Sequence, residues 1–437
     1  MSQKVLVLVC LFLIPSSTFS VADYLNQVIA EGRATQAQIK LAQQYNLASY
    51  FKHNLANSVK GSNSWLLAKH KLAEQDGAHA LSLASYYEAE SSTDKAKTWY
   101  KRALILQPEL PSYKHRYLDF LFNQQEYDEI IQLISTHETD EQQLDMLLRV
   151  YLLLGDLHSI KELMLNTANQ AWFTVANDKL NRYQVLDAKI DTQSQCENSI
   201  QLFATNFSDL ARAEWLIEQV RHKSVARYFC FEGVRYIDLL SLGCQLNIDI
   251  AIQCDELIWR EYAQTINARY IGVLLPQGGA NVHEGIVYLD RKDTVDVFAH
   301  EIWHLLGFVD EYPLPSYHTD CQQSRLTAIA PNVIVTPQLF FENRLEARKA
   351  LLSVLPWAHL IDKDTPLLTQ DVQGWRIGTP SAYADKIGVF VANTCDKSVT
   401  HAFKPVHNYT ALHYQETSIP DFYHQLLRAH FNDYIKP

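Results

Sequence analysis

Two periodicities divide the chain. From about Asp23 to Ile190 apolar residues return every three or four positions. Leu41, Ala42, Tyr45, Ala48 and Phe51 keep that spacing, as do Ala80, Leu83, Ala84 and Tyr87. One face of an α-helix has this period, so helix after helix is predicted. The pattern also matches itself at an offset of 34 residues: Ala84-Ser85-Tyr86 precedes Leu118-Asp119-Phe120, and Asp94-Lys95-Ala96 precedes Asp128-Glu129-Ile130. Leu152-Leu153-Leu154 stands 34 after Leu118, although the next helix of that unit begins early, at Gly155-Asp156. A single helix pair cannot bury its apolar face alone, so successive pairs are expected to stack as a helical-repeat domain over 23–190.

Near Lys189-Ile190-Asp191-Thr192-Gln193-Ser194-Gln195 the pattern turns polar, and a domain boundary is placed there. From Cys196 onward the chain reads as α/β. Ile200 to Thr205 is a predicted strand, and Asn206 to Asp209 can cap a helix from about Leu210 to Arg221. Strands are predicted at Tyr228 to Phe231, Leu246 to Ile250 and Tyr270 to Leu275, with a helix at Trp259 to Ala263. A second extended run, Gly285-Ile286-Val287-Tyr288-Leu289, precedes an apolar helical stretch through Val295, Val297, Phe298 and Ala299. A terminal helix is expected from about Asp421 to Tyr434.

Length and composition narrow the class. At 437 residues, 47% hydrophobic and 20% charged, the chain is an ordinary globular protein of two or three domains. A net charge of -11 argues against nucleic acid or an anionic membrane as partner. Residues 1–22 have the form of a removable export signal: Lys4, an apolar core from Val5 to Ile14, then Pro15-Ser16-Ser17 and a small-residue exit at Ser20-Val21-Ala22. That core is too short to span a bilayer, so a periplasmic or secreted protein with no other membrane segment is expected. The six cysteines that remain, Cys196, Cys230, Cys244, Cys254, Cys321 and Cys395, all lie in the second half, and up to three disulfides follow. Cys321 with Cys395 is the preferred pair, tying the loop after the apolar helix to the loop before the C-terminal segment.

The chemistry concentrates in His300-Glu301-Ile302-Trp303-His304 and the residues behind it. On a helix, positions i and i+4 share a face, so both imidazoles point at one spot. Zn²⁺ needs that geometry, and Glu301 lies beside it as a general base. Gly307 permits a left-handed turn, which brings Asp310 back as a third ligand and leaves a fourth position open for water. Glu311 competes with Asp310 for the ligand place. His318 and Asp320 rank lower because Pro313 and Pro315 direct the chain away, and His283 is expected in an exposed loop.

Two resemblances follow from these residues. In the first half, Ala96, Trp99-Tyr100, Ala103 and Pro108 resemble the tetratricopeptide pattern of paired helices closed by proline. This implies three to five TPR-like units, serving as a groove for a protein partner or as a packed scaffold. Over 196–437 the chain resembles a zincin-like metallopeptidase of the metzincin type, and most closely the IgA-peptidase-like metallopeptidases. The H-E-x-x-H helix followed by Asp310-Glu311-Tyr312 carries the likeness. So do the Gly278-Gly279 segment with the strand before the helix, and the C-terminal runs Ile387-Gly388-Val389-Phe390 and Ala402-Phe403-Lys404-Pro405.

The resemblance implies one catalytic Zn²⁺ and hydrolysis of a protein or peptide substrate. It also implies a substrate-binding edge strand at Gly285, Ile286, Val287 and Tyr288, and an oxyanion-stabilising side chain from Tyr409, His413 or Tyr414. The chain departs from the pattern in three places. Members place the D-E-Y one residue later, Val391 stands where they carry a glutamate, and no methionine lies near the expected turn at Thr410-Ala411-Leu412-His413-Tyr414, where Leu412 would form the apolar floor. Two other functions compete: an envelope protein-binding module whose zinc domain is degenerate, and a zinc amidase acting on cell-wall peptides.

Overall fold

A computed structural model describes residues 20–135, 138–186, 196–248, 250–262, 266 and 268–434. The signal segment through residue 19 and the boundary at 189–195 lie outside these residues. The chain forms two compact units, one within Met1–Ser135 and one within Thr136–Pro437. A helical N-terminal part is followed by an α/β part.

The first unit comprises α1 (Val21–Ala30), α2 (Gln36–Gln44), α3 (Ala48–Asn57), α4 (Asn63–Ala73), α5 (Gly77–Ala89), α6 (Thr93–Leu106), α7 (Pro111–Asn123) and α8 (Tyr127–Leu133). Each helix packs on the next. Small residues at the contacts, Ala68, Ala80, Ala84, Ala96 and Ala103, are essentially inaccessible and let the helices approach closely. The 34-residue spacing survives in the starts of α5 and α7, at Gly77 and Pro111, and of α6 and α8, at Thr93 and Tyr127. It recurs in the left-handed turn residues Ser91 (φ 55°) and Gln125 (φ 59°).

The second unit opens with α9 (Glu141–Leu153), α10 (Leu157–Asn166) and α11 (Ala171–Arg182). These three helices join the sheet region through Tyr236, whose hydroxyl donates to the Leu152 carbonyl at 2.6 Å, and through the bidentate pair of Arg182 with Glu214 at 2.8 Å. Next come β1 (Ser199–Ala204), α12 (Phe207–Val220), β2 (Cys230–Phe231), β3 (Arg235–Tyr236), α13 (Ile258–Tyr262), β4 (Tyr270–Leu275), β5 (Asn281–His283), β6 (Ile286–Asp290) and α14 (Val295–His304). The main sheet runs β2-β1-β4-β6-β5, with β3 also on β1. Its pairings are parallel except β5 with β6. β1 and β6 are buried along their whole length, as expected of parallel strands covered on both faces. α12 and α14 pack against this sheet.

The remainder holds β7 (Thr327–Ala330), β8 (Val333–Thr336), β9 (Phe340–Phe341), α15 (Arg344–Val354), β10 (Leu368–Asp371), β11 (Gly374–Ile377), β12 (Phe390–Ala392), β13 (His401–Lys404) and α16 (Asp421–Tyr434). Two antiparallel sheets result, β12-β13-β8-β7 and β10-β11-β9. Disulfides join Cys196 to Cys230, Cys244 to Cys254 and Cys321 to Cys395, the last as expected. No helix among the described residues is long and apolar enough to cross a membrane.

Three strand expectations are corrected. Tyr228 ends a 3-10 turn, so that strand shrinks to Cys230–Phe231. Leu246, Asn247 and Ile248 form no strand. The Cys244–Cys254 bond closes a tight loop there, and a lone bridge joins Gln245 to Gln253. The run Gly285, Ile286, Val287, Tyr288 is not an edge: β6 pairs with β4 on one side and β5 on the other, so β5 is the last strand.

Candidate metal centre

The end of β6 leads straight into the helix that carries the histidines. Thr294 caps α14 by accepting from Val297 N, and Asp296 sits in the first turn, where a negative charge suits the helix dipole. Phe298 and Ile302 are fully buried, and Trp303 packs edge-on against Phe308. With that side of the helix taken up by the core, His300 and His304 share another. Gly307, at φ 84°, lets the chain reverse, since a side chain there would strain the left-handed backbone.

The reversal brings Asp310 to both histidines. Asp310 Oδ1 lies 3.0 Å from His300 Nε2 and 3.2 Å from His304 Nε2, and the two Nε2 atoms are 3.1 Å apart. A tetrahedral zinc with bonds of about 2.0–2.2 Å holds its ligand atoms roughly 3.3–3.5 Å apart. The three atoms need to spread by only a few tenths of an ångström to accept one. Among the described residues this is the one group of three or more His, Cys, Asp or Glu side chains able to share a metal.

The outer nitrogens are tied off. His300 Nδ1 lies 2.7 Å from the Ala411 carbonyl and His304 Nδ1 lies 2.9 Å from the Phe308 carbonyl. A carbonyl only accepts, so both Nδ1 atoms carry the proton and the Nε2 atoms face the common point. This is how metal-binding histidines are oriented. Ala411 belongs to the turn at Thr410–Tyr414, where it had been expected, and Leu412 within it is fully buried.

The charges at this point favour a cation. Burial alone would raise the Asp310 pKa, but His304 and His300 outweigh it and hold the carboxyl well below the usual range. Burial pushes His304 down, yet the Asp310 charge and hydrogen bond lift its imidazolium to about 9. Burial raises Glu301, and the two histidines offset only part of that.

His304, Asp310 and Glu301 line a cleft of about 1050 Å³, together with Asn281 of β5, Glu284 and Tyr312. Among the described residues no lysine or arginine lines it. Glu311 does not face the metal point. It is completely buried in a separate polar cluster, so of the two it is Asp310 that groups with the histidines. His318 and Asp320 line the cleft without joining the ligand group, and His283 pairs with Glu256 at 2.7 Å.

The three stabiliser candidates lie elsewhere. Tyr409 and Tyr414 are about half exposed, His413 Nδ1 is engaged with the Glu311 carbonyl at 3.0 Å, and none lines the cleft. Tyr312 lies there instead. Its ring stacks on His300 at 6.1 Å, and burial followed by the nearby Asp310 charge raises its pKa well above the usual phenol value. Two features mark Tyr312 and β5. Tyr312 sits two residues behind a candidate ligand, and Glu284-Gly285, both at positive φ, form the two-residue hairpin turn that separates β5 from β6.

Compared with known proteins, the chain matches no family model, and no curated protein matches it.

Proposed function

We propose that this protein is an exported zinc-dependent endopeptidase, with a tetratricopeptide-like helical region ahead of a zincin-type catalytic domain of the IgA-peptidase-like kind. The carrying observation is the convergence of His300 Nε2, His304 Nε2 and Asp310 Oδ1 on one point, in a cleft that Glu301 also lines. The sheet order supports the zincin reading, with one antiparallel strand at the edge beside the histidine helix. Three disulfides suit an oxidising compartment such as the periplasm or the extracellular space.

His300, His304 and Asp310 would hold the ion. When bound, Zn²⁺ supplies Lewis acidity, acidifying water and polarising a carbonyl. Glu301 takes a proton from the attacking water on its carboxylate and returns it to the leaving amine as the C–N bond breaks. Its raised pKa suits a group that must both accept and release a proton near neutrality. Tyr312 stands beside Asp310, and burial together with that charge keeps its hydroxyl protonated. β5 pairs through one side only among the described residues, so its other side offers backbone groups to an extended peptide.

Glu301→Gln tests this. The variant is expected to keep about one equivalent of zinc while cleavage of a generic unfolded protein falls by roughly 10²–10⁴-fold. Full activity in the variant would refute the general-base role.

A further inference from the structure

Directly behind the third candidate ligand stands a carboxylate that the metal chemistry does not use. Glu311 is completely buried, where an ionised carboxylate persists only with a full set of donors. It has one. Oε1 accepts from Tyr423 Oη at 2.6 Å and from Asn332 Nδ2 at 3.4 Å. Oε2 accepts from Lys404 Nζ at 2.8 Å and from Thr410 Oγ1 at 2.9 Å. The donors come from four separate places: the residue before β8, the end of β13, the turn at Thr410–Tyr414, and α16.

The backbone of Glu311 grips the same turn twice more. Its N–H donates to the Leu412 carbonyl at 2.8 Å, and its carbonyl lies 3.0 Å from His413 Nδ1. Asn332 meanwhile pins Val309 from both sides, accepting its N–H at 3.1 Å and donating to its carbonyl at 2.9 Å. The segment bearing Asp310 and the turn bearing the Ala411 carbonyl are therefore one hydrogen-bonded block centred on Glu311. The Ala411 carbonyl is the group that accepts the hydrogen bond of His300 Nδ1–H.

We infer that Glu311 is a positioning residue: by holding the Thr410–Tyr414 turn it fixes the Ala411 carbonyl against His300, and so aims His300 Nε2 at the metal point. The inference rests on the metal-site reading above. A residue that merely filled the core would support folding and leave metal affinity alone. A residue acting through His300 must change metal affinity even where folding is kept.

Thr410 is the handle that separates the two roles. Glu311→Gln would strand the buried Lys404 ammonium and test folding instead. Thr410→Val keeps the shape of the side chain and removes the hydroxyl that donates to Glu311 and accepts from Leu412 N at 3.1 Å. Thr410→Ser restores that hydroxyl. The full chain is titrated with Zn²⁺ against a chelating dye, and the visible spectrum of the Co²⁺-loaded protein is recorded. Thr410→Val is expected to bind Zn²⁺ about 10- to 100-fold more weakly and to shift the Co²⁺ bands, with Thr410→Ser matching the wild type. Wild-type affinity in Thr410→Val, or a Thr410→Ser as weak as the valine variant, overturns the inference. Wild-type protein that takes up no metal sinks the metal-site reading on which it rests. If Thr410→Val does not fold, Tyr423→Phe takes its place, since it removes a different donor from the same carboxylate. Wild-type affinity there again overturns the inference.

Discussion

Two carboxylates in this molecule have the same kinds of neighbour and opposite meanings. In the helical unit, Glu129 of α8 meets two lysines and a tyrosine. Lys97 lies at 2.7 Å, Lys101 at 2.9 Å, and the Tyr117 hydroxyl at 2.5 Å. In the sheet unit, Asp310 meets two histidines and a tyrosine, His300, His304 and Tyr312. Both carboxylates ionise more readily than usual, and both tyrosines less. The difference lies in what the bases carry. An ammonium at neutral pH has donors and no lone pair, so the Glu129 cluster is complete as it stands. An imidazole whose Nδ1 proton is held by a carbonyl can turn a lone pair inward once its other proton leaves. The Asp310 cluster therefore has lone pairs to offer a metal in place of a proton, and the lysines of the Glu129 cluster have none.

The sharpest way to break this comparison is to remove a base from each cluster. His304→Ala should lose bound zinc, with hydrolysis falling to background, while Lys101→Ala should leave both unchanged. Metal analysis and a protein-cleavage assay on the two variants decide it. The tyrosines make a gentler pair. Tyr312→Phe removes the hydroxyl nearest the Asp310 charge and should weaken zinc binding by about tenfold, the scale for losing a group that orients a ligand. Tyr117→Phe should not alter zinc binding at all. Equal zinc affinity in Tyr312→Phe and the wild type would show that the hydroxyl contributes nothing to the ligand.

Where the pattern is long or the spacing rigid, the sequence was a sufficient guide. The strand Tyr270 to Leu275 and the helix Asp421 to Tyr434 have the expected bounds, and the two histidines share a point because i and i+4 on a helix must. The choice between Asp310 and Glu311 could not be read the same way. It turns on a lysine 93 positions away and a tyrosine 112 positions away, which claim Glu311 for the core. β5 is not legible in the sequence because three residues are too short to show an alternation, so the longer run behind it reads as the edge. Tyr409, His413 and Tyr414 have suitable chemistry at a suitable distance along the chain. What the C-terminal turn brings to the histidines is instead the backbone carbonyl of Ala411, which any residue could provide.

The smallest expected effect tests the closed cluster by pH. Burial alone would raise the Glu129 pKa, but hydrogen bonds from Lys97, Tyr117 and Lys101 outweigh it and hold the group at about 2, against an ordinary value of 4.5. A carboxylate whose pKa is lower in the folded state stabilises that state fully above the unfolded value. It loses the contribution as pH falls through the folded value. The Glu129 side chain is 22% accessible and Lys101 is about half exposed, so solvent screening reduces the gain to about 1–2 kcal/mol. Glu129→Gln should therefore destabilise the helical unit by that amount at pH 7, read from hydrogen exchange of the α6 and α8 amides. The gap between variant and wild type should narrow from about pH 4.5 and close near pH 2. Zinc stoichiometry should stay unchanged throughout the neutral range, because the ammoniums of this cluster have no lone pair to give. A pH-independent gap would mean that the glutamate acts by its shape and hydrogen bonding rather than its charge, and the contrast with Asp310 would then lose its electrostatic basis.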